Sequence, residues 1–537
     1  MSRWRALSAI VLPFRLPAAT RPLLARAAMH WALWMSLALV GLWVALGADL
    51  NSAQWGDHFE QFVWAHSFEW GYYKHPPLPT WMLAAAIAIF GPWPYWTYLL
   101  AALCTAGTAF FTYRVAQRLI GDKPAALAIL LWGLQHAFSA RAQLFNHNTV
   151  MMLAISGTVW CVLRALDSSR RAWWVAAGVG AGLAMLSKYQ SVVPLAGIGV
   201  ALLLTGELAR HSTRRGALMA IGVAAPVFAP HVLWMLQHDF STLRYAAQDG
   251  RPLSWAARGL SVTIFLGQQI RLLFPAMLFA AALWLLPGLR MHSHAATATD
   301  DDAAHWRRAW FAGLIVFPLV VTVLICPAFG LDLKNHWGYQ CLQFVSLWLG
   351  WRLRHLARRG AVVLAALALL VQSVFMTVCA EPRWTGQRDT DRRADGQYPA
   401  LQLAAAVQRD WQAFTSCPLT VVVGPSFEAG MVSVYSRAPP AVLEDGDFAK
   451  SPWVQPDEVS HRGAVYVATD PNRLPVQGVA LLNSMNVAAA AQASGSRIHW
   501  AIVPPHSCDA ASAQGGNGAR STGGRIQDLR TVKAGPF

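Results

Sequence analysis

Long apolar runs recur through the first 380 residues and constrain the fold of this chain more than any other feature. Each run is long enough, or nearly so, to cross the roughly 30 Å hydrocarbon core of a bilayer as a helix. Only 13% of the 537 residues are charged, about half the share that is usual in soluble proteins. We therefore predict a mainly α-helical polytopic membrane protein with roughly eleven transmembrane helices. The runs lie at about 30–49, 94–113, 124–141, 148–165, 172–187, 190–206, 216–237, 262–286, 309–330, 338–352 and 361–380.

The charges between these runs predict the orientation of the chain. Basic clusters such as "ELARHSTRRG" and "RLRHLARRG" fall in every second gap, and cytoplasmic loops are where Lys and Arg collect. The pattern predicts an integral, multi-pass protein of the cytoplasmic (inner) membrane, with a cytoplasmic N-terminus and an extracytoplasmic, periplasmic C-terminal domain. Because the net charge of +16 comes from short clusters between apolar runs, we predict no nucleic-acid partner.

One further apolar segment, Leu78–Phe90, is too short to cross a membrane. It has thirteen residues between "HPPLP" and "GPWP", and a helix of that length spans too little hydrocarbon. We predict an interfacial or re-entrant helix here, in preference to a kinked full span.

The composition changes after Glu381, where the polar linker "PRWTGQRDTDRRADGQ" begins. The segments "LTVVVG", "AVYVAT" and "RIHWAIVP" are typical of short buried strands between turns. We predict a transmembrane domain at 1–380, a small extracytoplasmic α/β domain at 381–505 and a disordered tail rich in Gly, Ser and Ala at 506–537. Cys417 and Cys508 flank this domain, and an extracytoplasmic location would permit a disulfide between them, which the sequence leaves open.

The first predicted outer loop holds the best candidate for chemistry, Asp57 in "QWGDHFEQ". Aromatic residues at helical spacing over Phe59–Trp70 predict an amphipathic helix at the membrane interface. Asp57 would stand at its N-terminal end, where a carboxylate can cap a helix. A carboxylate near the membrane surface can also act as a general base toward a hydroxyl. Spacing alone does not separate these two roles.

The turn "WGYYKHPP" that follows also has two interpretations. It is either a belt of interfacial tyrosines ended by a rigid turn, or a recognition turn. In the second case Pro76 and Pro77 fix the backbone while Lys74 and His75 meet a phosphate near the lipid headgroups.

Two lysines at predicted outer ends of spans, Lys188 in "LSKYQ" and Lys334 in "DLKNHW", either extend to the interface or pair with a lipid phosphate. His58, His75, His147 and His336 have no spacing typical of a metal site. The sequence therefore identifies no cofactor with certainty, and binding of a divalent metal ion stays open.

Taken in order, the motifs D-x(12)-W-G-Y-Y-x-H-P-P, "FNHNT", "LSKY" and "KNHW" resemble those of polytopic glycosyltransferases of the GT-C type. The resemblance is to family 39, the dolichyl-phosphate-mannose-protein mannosyltransferase-like group, and the lipid A aminoarabinose transferases share this architecture. It covers about the first 350 residues, and "WGYYKHPP" is its most specific part. The segment "VVVGPSFEAGMVSVYSRAPP" also looks like part of the outer domain of bacterial members.

The resemblance implies transfer of a hexosyl or pentosyl group, with inversion, from a polyprenyl-phosphate donor to an acceptor hydroxyl on the extracytoplasmic face. It implies that Asp57 is the general base, and that a membrane lipid and an unidentified glycan, lipid or protein acceptor are partners. Donor phosphate and sugar contacts would come from Tyr72, Tyr73, Lys74, His75, Lys188 and Tyr189. Acceptor or sugar contacts would come from His58, Asn146, Asn148, Lys334 and His336.

The chain departs from the family pattern at two places. The usual Asp-Glu pair is Asp57-His58 here, and the second acidic residue of many relatives is replaced in "FNHNT" by the amides Asn146 and Asn148. An amide can hydrogen-bond a sugar but cannot act as a base.

Two other classes of function remain open from the sequence. A transporter or flippase of a polyprenyl-linked substrate would more often carry internal repeats and midplane charges, and we find neither. A scaffolding protein with an outer binding domain would not need Asp57.

Overall fold

The structure is a computed structural model that describes residues 30–168, 170–248, 253–286, 300–385, 398–475, 477–486 and 497–506. Each of the eleven apolar runs contains a helix, although the helix of the run at 124–141 ends at Gly133. The helices of this part of the chain are α1 Trp31–Leu50, α2 Gly56–Trp64, α3 Leu78–Phe90, α4 Trp96–Ile120, α5 Asp122–Gly133, α6 His147–Ser168, α7 Arg171–Ser187, α8 Val192–Leu204, α9 His211–Gln237, α10 Ser241–Gln248, α11 Trp255–Leu285, α12 Asp300–Phe311, a π-helix Ala312–Val316, α13 Phe317–Phe329, α14 Tyr339–Arg352 and α15 Arg358–Thr385.

Within the described ranges, seven helices are long and apolar enough to cross a membrane. They are α1, α4, α6, α9, α11, the continuous α12–α13 segment and α15. The other four predicted runs form shorter helices, α5, α7, α8 and α14. The mainly helical, polytopic membrane architecture is therefore confirmed, whereas the predicted number of crossings depends on these four shorter helices.

Small residues allow some of these helices to approach closely. A Cβ atom added to Gly178 of α7 would lie 2.5 Å from the backbone oxygen of Ala220 in α9. A Cβ added to Gly197 of α8 would lie 2.2 Å from the backbone oxygen of Gly313 in the π-helix. Close backbone contact through small residues is a usual way for helices to pack inside a membrane.

Helix α2 differs from the prediction in length and in surroundings. It ends at Trp64 instead of continuing to Trp70, because the ring of His66 lies 3.2 Å from the carbonyl oxygens of Phe62 and Val63 and occupies the end of the helix. Phe59 and Trp64 are fully buried and pack into the core of the C-terminal region. The prediction that these two aromatic residues face the membrane interface is therefore wrong. The next helix, Leu78–Phe90, has the predicted thirteen residues.

The C-terminal region forms a small five-stranded sheet with helices. Its elements are α16 Ala400–Phe414, β1 Val421–Gly424, α17 Ser426–Tyr435, β2 Ala441–Glu444, α18 Pro456–Arg462, β3 Ala464–Ala468, β4 Leu481–Asn486 and β5 Arg497–Val503. The strand order is β2-β1-β3-β5-β4, with β1 parallel to β2 and β3 and with β5 antiparallel to β3 and β4.

The three strands predicted from sequence are β1, β3 and β5, and most positions in them are buried, as predicted. Cys417 is disulfide-bonded, whereas Cys508 and the predicted tail lie outside the described residues, as does most of the predicted linker. The division of the chain into three domains stays a prediction.

Candidate functional site

Asp57 lies in the first turn of α2 with an exposed carboxylate. The residue that caps this helix is Trp55, and no side chain makes the cap hydrogen bond, so the capping role considered for Asp57 is wrong. Its Oδ2 instead accepts a hydrogen bond of 2.8 Å from Nδ2 of Asn146. The carboxylate is thus oriented by an amide from a distant loop and remains open to solvent.

Asn146 performs two tasks with its one side chain. Its Oδ1 accepts hydrogen bonds from the backbone N–H groups of Asn148 and Thr149, at 2.9 and 3.1 Å, as the side chain of an N-cap residue does. Because the oxygen is held by the start of α6, the NH₂ group is directed at Asp57. The amide that replaces the second acid of the family pattern therefore supports the carboxylate of Asp57 by a hydrogen bond.

Lys188 joins the same group from the loop after α7. Its Nζ donates a 2.9 Å hydrogen bond to Oδ1 of Asn148. Burial lowers the pKa of Lys188 to about 8, although the charge of Asp57 acts in the opposite direction. Three separate elements thus bring one carboxylate, two amides and one amine together at one place.

The "WGYYKHPP" turn is closed by two backbone hydrogen bonds between Tyr72 and His75, of 3.1 and 3.2 Å. The ring of Tyr72 stacks on Trp64, with centroids 5.0 Å apart. Lys74 donates a 2.5 Å hydrogen bond to Oε2 of Glu60. Burial raises the pKa of Glu60 to about 7, although Lys74 acts against this shift. The Lys74 ammonium is therefore paired with a carboxylate of the protein. The predicted contact of Lys74 with a donor phosphate stays a prediction.

The C-terminal region contributes a carboxylate that sequence analysis did not single out. Glu444, at the end of β2, is buried. It accepts hydrogen bonds from the hydroxyl of Tyr73, at 2.7 Å, and from Nε1 of Trp64, at 3.2 Å. The C-terminal sheet is thereby attached directly to the turn.

Two of the predicted contact residues are held by neighbouring protein groups. His58 is fully buried; its Nδ1 lies 3.0 Å from Oε1 of Gln54, and its Nε2 accepts from the N–H of Phe145 at 2.9 Å. This arrangement favours a structural role over the predicted contact with an acceptor. Tyr189 has its hydroxyl 2.6 Å from Nε2 of His231, a histidine that sequence analysis did not single out.

Two further predicted residues, His336 and His75, lie near enough to Lys188 for its charge to act on them. Burial lowers the pKa of His336 to about 3, and the charges of Lys188, Arg141 and Lys334 add to this effect. Burial also places the pKa of His75 well below its ordinary value. Beside His75, ligand atoms of Glu60, His75 and His147 all lie within 4.8 Å of one another, a spacing compatible with a metal ion.

Comparisons with known proteins agree with this architecture. The family model described as dolichyl-phosphate-mannose-protein mannosyltransferase matches residues 74–234. The lipid A galacturonosyltransferase RgtD of Rhizobium johnstonii is 29% identical over 237 residues, which are 42% of this chain and 48% of the relative. The lipopolysaccharide core galacturonosyltransferase RgtB of the same organism is 23% identical over 434 residues, 76% of this chain and 81% of the relative. The match to RgtD thus spans about half of that relative's length.

Among solved structures, ArnT from Cupriavidus metallidurans bound to undecaprenyl phosphate aligns with a TM-score of 0.57 at 16% identity, covering 87% of this chain and 98% of ArnT. The apo state of the same ArnT aligns with a TM-score of 0.55. At this level of identity the likeness concerns the fold. The resemblance indicated by the motifs is therefore confirmed: the chain has the GT-C-type fold of ArnT, and it matches the dolichyl-phosphate-mannose-protein mannosyltransferase family over residues 74–234.

Proposed function

We propose that this protein is a membrane glycosyltransferase that moves a sugar from a polyprenyl-phosphate donor to an acceptor hydroxyl on the extracytoplasmic face. The observation that carries the proposal is the group formed by Asp57, Asn146, Asn148 and Lys188. It places a solvent-accessible carboxylate and a half-buried amine at one site. A transfer from a phosphate leaving group needs a base for the acceptor and a positive charge for the leaving group.

In the proposed reaction, Asp57 takes the proton of the acceptor hydroxyl while that oxygen attacks the anomeric carbon of the donor sugar. The bond from this carbon to the phosphate oxygen breaks on the opposite side, and polyprenyl phosphate leaves with the electron pair. A single displacement of this kind inverts the anomeric configuration. The amide of Asn146 fixes the direction of the Asp57 carboxylate, which limits the reorganisation needed during the reaction.

Lys188 is the cation that we assign to the donor phosphate. Lys74 is held by Glu60, whereas the partner of Lys188 is a neutral amide. A charged amine without a carboxylate in direct contact keeps its full attraction for an incoming phosphate. Tyr72, Tyr73, His75 and Tyr189 would shape the wall around this phosphate and the sugar.

The acceptor that we propose is lipopolysaccharide, since the relatives named above are galacturonosyltransferases of lipid A and of the lipopolysaccharide core. This assignment requires the inner membrane and a periplasmic C-terminal region. An apolar cavity of about 430 Å³ lies between the outer loops and this region, with Phe62, Trp93, Leu401 and Tyr435 in its walls. A lipid acceptor would find an apolar surface there.

Mass spectrometry of envelope lipids and glycans tests this function in cells that express the wild type, Asp57→Asn or no protein. The substitution keeps an oxygen that can accept from Asn146 but removes the base, so a loss of about a hundredfold or more in transfer is expected. Asp447→Asn, at an exposed position of the outer region, serves as the matched control and should behave as the wild type. A sugar-sized mass absent only from the Asp57→Asn and empty cells supports the proposal. Full transfer by Asp57→Asn would remove the general-base assignment, and identical profiles in all cells would favour a transporter.

A further inference from the structure

We propose that Glu60, His75 and His147 form a binding site for a divalent transition-metal ion such as Zn²⁺. One potential ligand atom from each residue lies within 4.8 Å of the other two, so a small shift would bring all three to a common ion. Two imidazoles with one carboxylate are a usual ligand set for Zn²⁺ and other first-row metals, which leaves a coordination position open. The proposal concerns residues other than Asp57 and Lys188, and it does not depend on sugar transfer.

His147 gives the strongest evidence that the site is built for a ligand. It is only 3% exposed, and its Nε2 has no hydrogen-bond partner. Leaving a buried polar atom without a hydrogen-bond partner is unfavourable, so one in this position needs an explanation. The carbonyl of Pro76 is the backbone partner of this ring. Because Nε2 is free, Nδ1 must make that bond, and the lone pair therefore lies on Nε2. A carbonyl that fixes the tautomer of a ligating histidine is a common second contact in metal sites.

The other two ligands are positioned by rigid parts of the chain. His75 precedes the Pro76–Pro77 pair, which restricts its backbone, and its ring centroid lies 4.1 Å from that of His147. No hydrogen bond to the His75 ring is found among the described residues. Glu60 lies on α2 and accepts a hydrogen bond from Lys74 with Oε2, while its Oε1 accepts none from the residues that the structure describes. One carboxylate can thus bind Lys74 and a metal ion with different oxygens.

The positive charges nearby set the expected strength of this site. Lys74 pairs with the carboxylate of Glu60. Its positive charge would repel a divalent cation bound to the same carboxylate. Replacing Lys74 by methionine keeps most of the side-chain volume and removes this charge. We therefore expect Lys74→Met to bind metal more tightly than the wild type, a direction of change opposite to that of the ligand substitutions.

The test is a metal titration of the full chain in detergent. The protein is purified with an affinity tag that contains no histidine, and bound metal is removed with a chelator before the titration. Co²⁺ binding is followed by its visible absorption, and Zn²⁺ binding by elemental analysis after desalting. Each of Glu60→Gln, His75→Gln and His147→Gln should weaken binding by about tenfold or more, since even outer contacts of metal sites cost about that much. His211→Ala, an exposed histidine elsewhere, should leave the affinity unchanged.

Gel filtration and thermal unfolding show which variants are folded. If His147→Gln does not fold, Glu60→Gln and His75→Gln still test the site. Absence of stoichiometric Zn²⁺ and Co²⁺ binding by the monodisperse wild type would overturn the proposal. Equal affinities for the wild type and the folded ligand variants would also overturn it, because the ion would then bind elsewhere.

Discussion

The proposed role of Lys188 predicts that donor binding depends on pH in a way that can be calculated. Burial lowers its pKa to about 8. The amine is charged below this pKa and loses its charge as the pH rises through it. About nine-tenths of the molecules carry the charge at pH 7 and about one-tenth at pH 9. If only the charged form binds the phosphate, affinity for polyprenyl phosphate should fall about tenfold between these two values, or about 1.4 kcal/mol.

Isothermal titration calorimetry with a short-chain polyprenyl phosphate checks this slope at constant ionic strength. The decisive variant is Lys188→Arg, since a guanidinium stays charged over the whole range. We expect the affinity of this variant to fall much less than tenfold between pH 7 and pH 9, where the phosphate itself is already mostly doubly ionised. Lys334→Arg is the matched control and should keep the wild-type slope.

Glu60 also changes charge in this range, because burial raises its pKa to about 7. Its ionisation above pH 7 would add negative charge and also weaken phosphate binding. A tenfold fall that persists in Lys188→Arg would assign the effect to Glu60 and refute the role of Lys188. An affinity of the wild type that does not change with pH would refute both the role of Lys188 and the effect of Glu60.

Two further predictions concern the packing of the protein. Glu444→Gln should lower the free energy of unfolding by about 1–3 kcal/mol, because the amide offers one oxygen to the two donors Tyr73 and Trp64; an unchanged unfolding temperature in detergent would contradict the contact. Gly197→Ala should be destabilising by about 1–3 kcal/mol, because its Cβ would meet the backbone of the π-helix. Gly199→Ala, on the same helix and with no atom within 4 Å of the added Cβ, is its control and should unfold no earlier than the wild type.

The helices were predictable because hydrophobic runs of this length have few alternatives to helix in a membrane. All eleven runs and the thirteen-residue helix Leu78–Phe90 were recognised in this way. Strands β2 and β4 were missed. The first is only four residues long, and the second, "LLNSMN", is mostly exposed or half-buried, so neither carries a clear buried pattern. The end of α2 was misplaced because a histidine that binds terminal carbonyls leaves no mark in hydrophobic spacing.

The candidate site was only partly predictable. Asp57 and Lys188 were selected for their residue type and predicted side of the membrane. The hydrogen bond from Asn146 to Asp57, however, joins residues 89 positions apart. The contact of Glu444 with Tyr73 spans 371 positions. Such pairs follow from tertiary packing, which one sequence does not reveal. Glu60 had a weak signal, since it lies three residues after Asp57 on the same helix.

The attachment of Glu444 to Tyr73 and Trp64 restricts how proteins of this type can exchange parts during evolution. An outer region taken from a relative would bring its own residue to the position of Glu444, while the turn would keep its two hydrogen-bond donors. A chimera would then bury these donors without an acceptor unless the turn and β2 were transferred together. The boundary between membrane and outer regions is therefore a poor point for recombination, and new outer regions should be acquired together with matching changes in the turn.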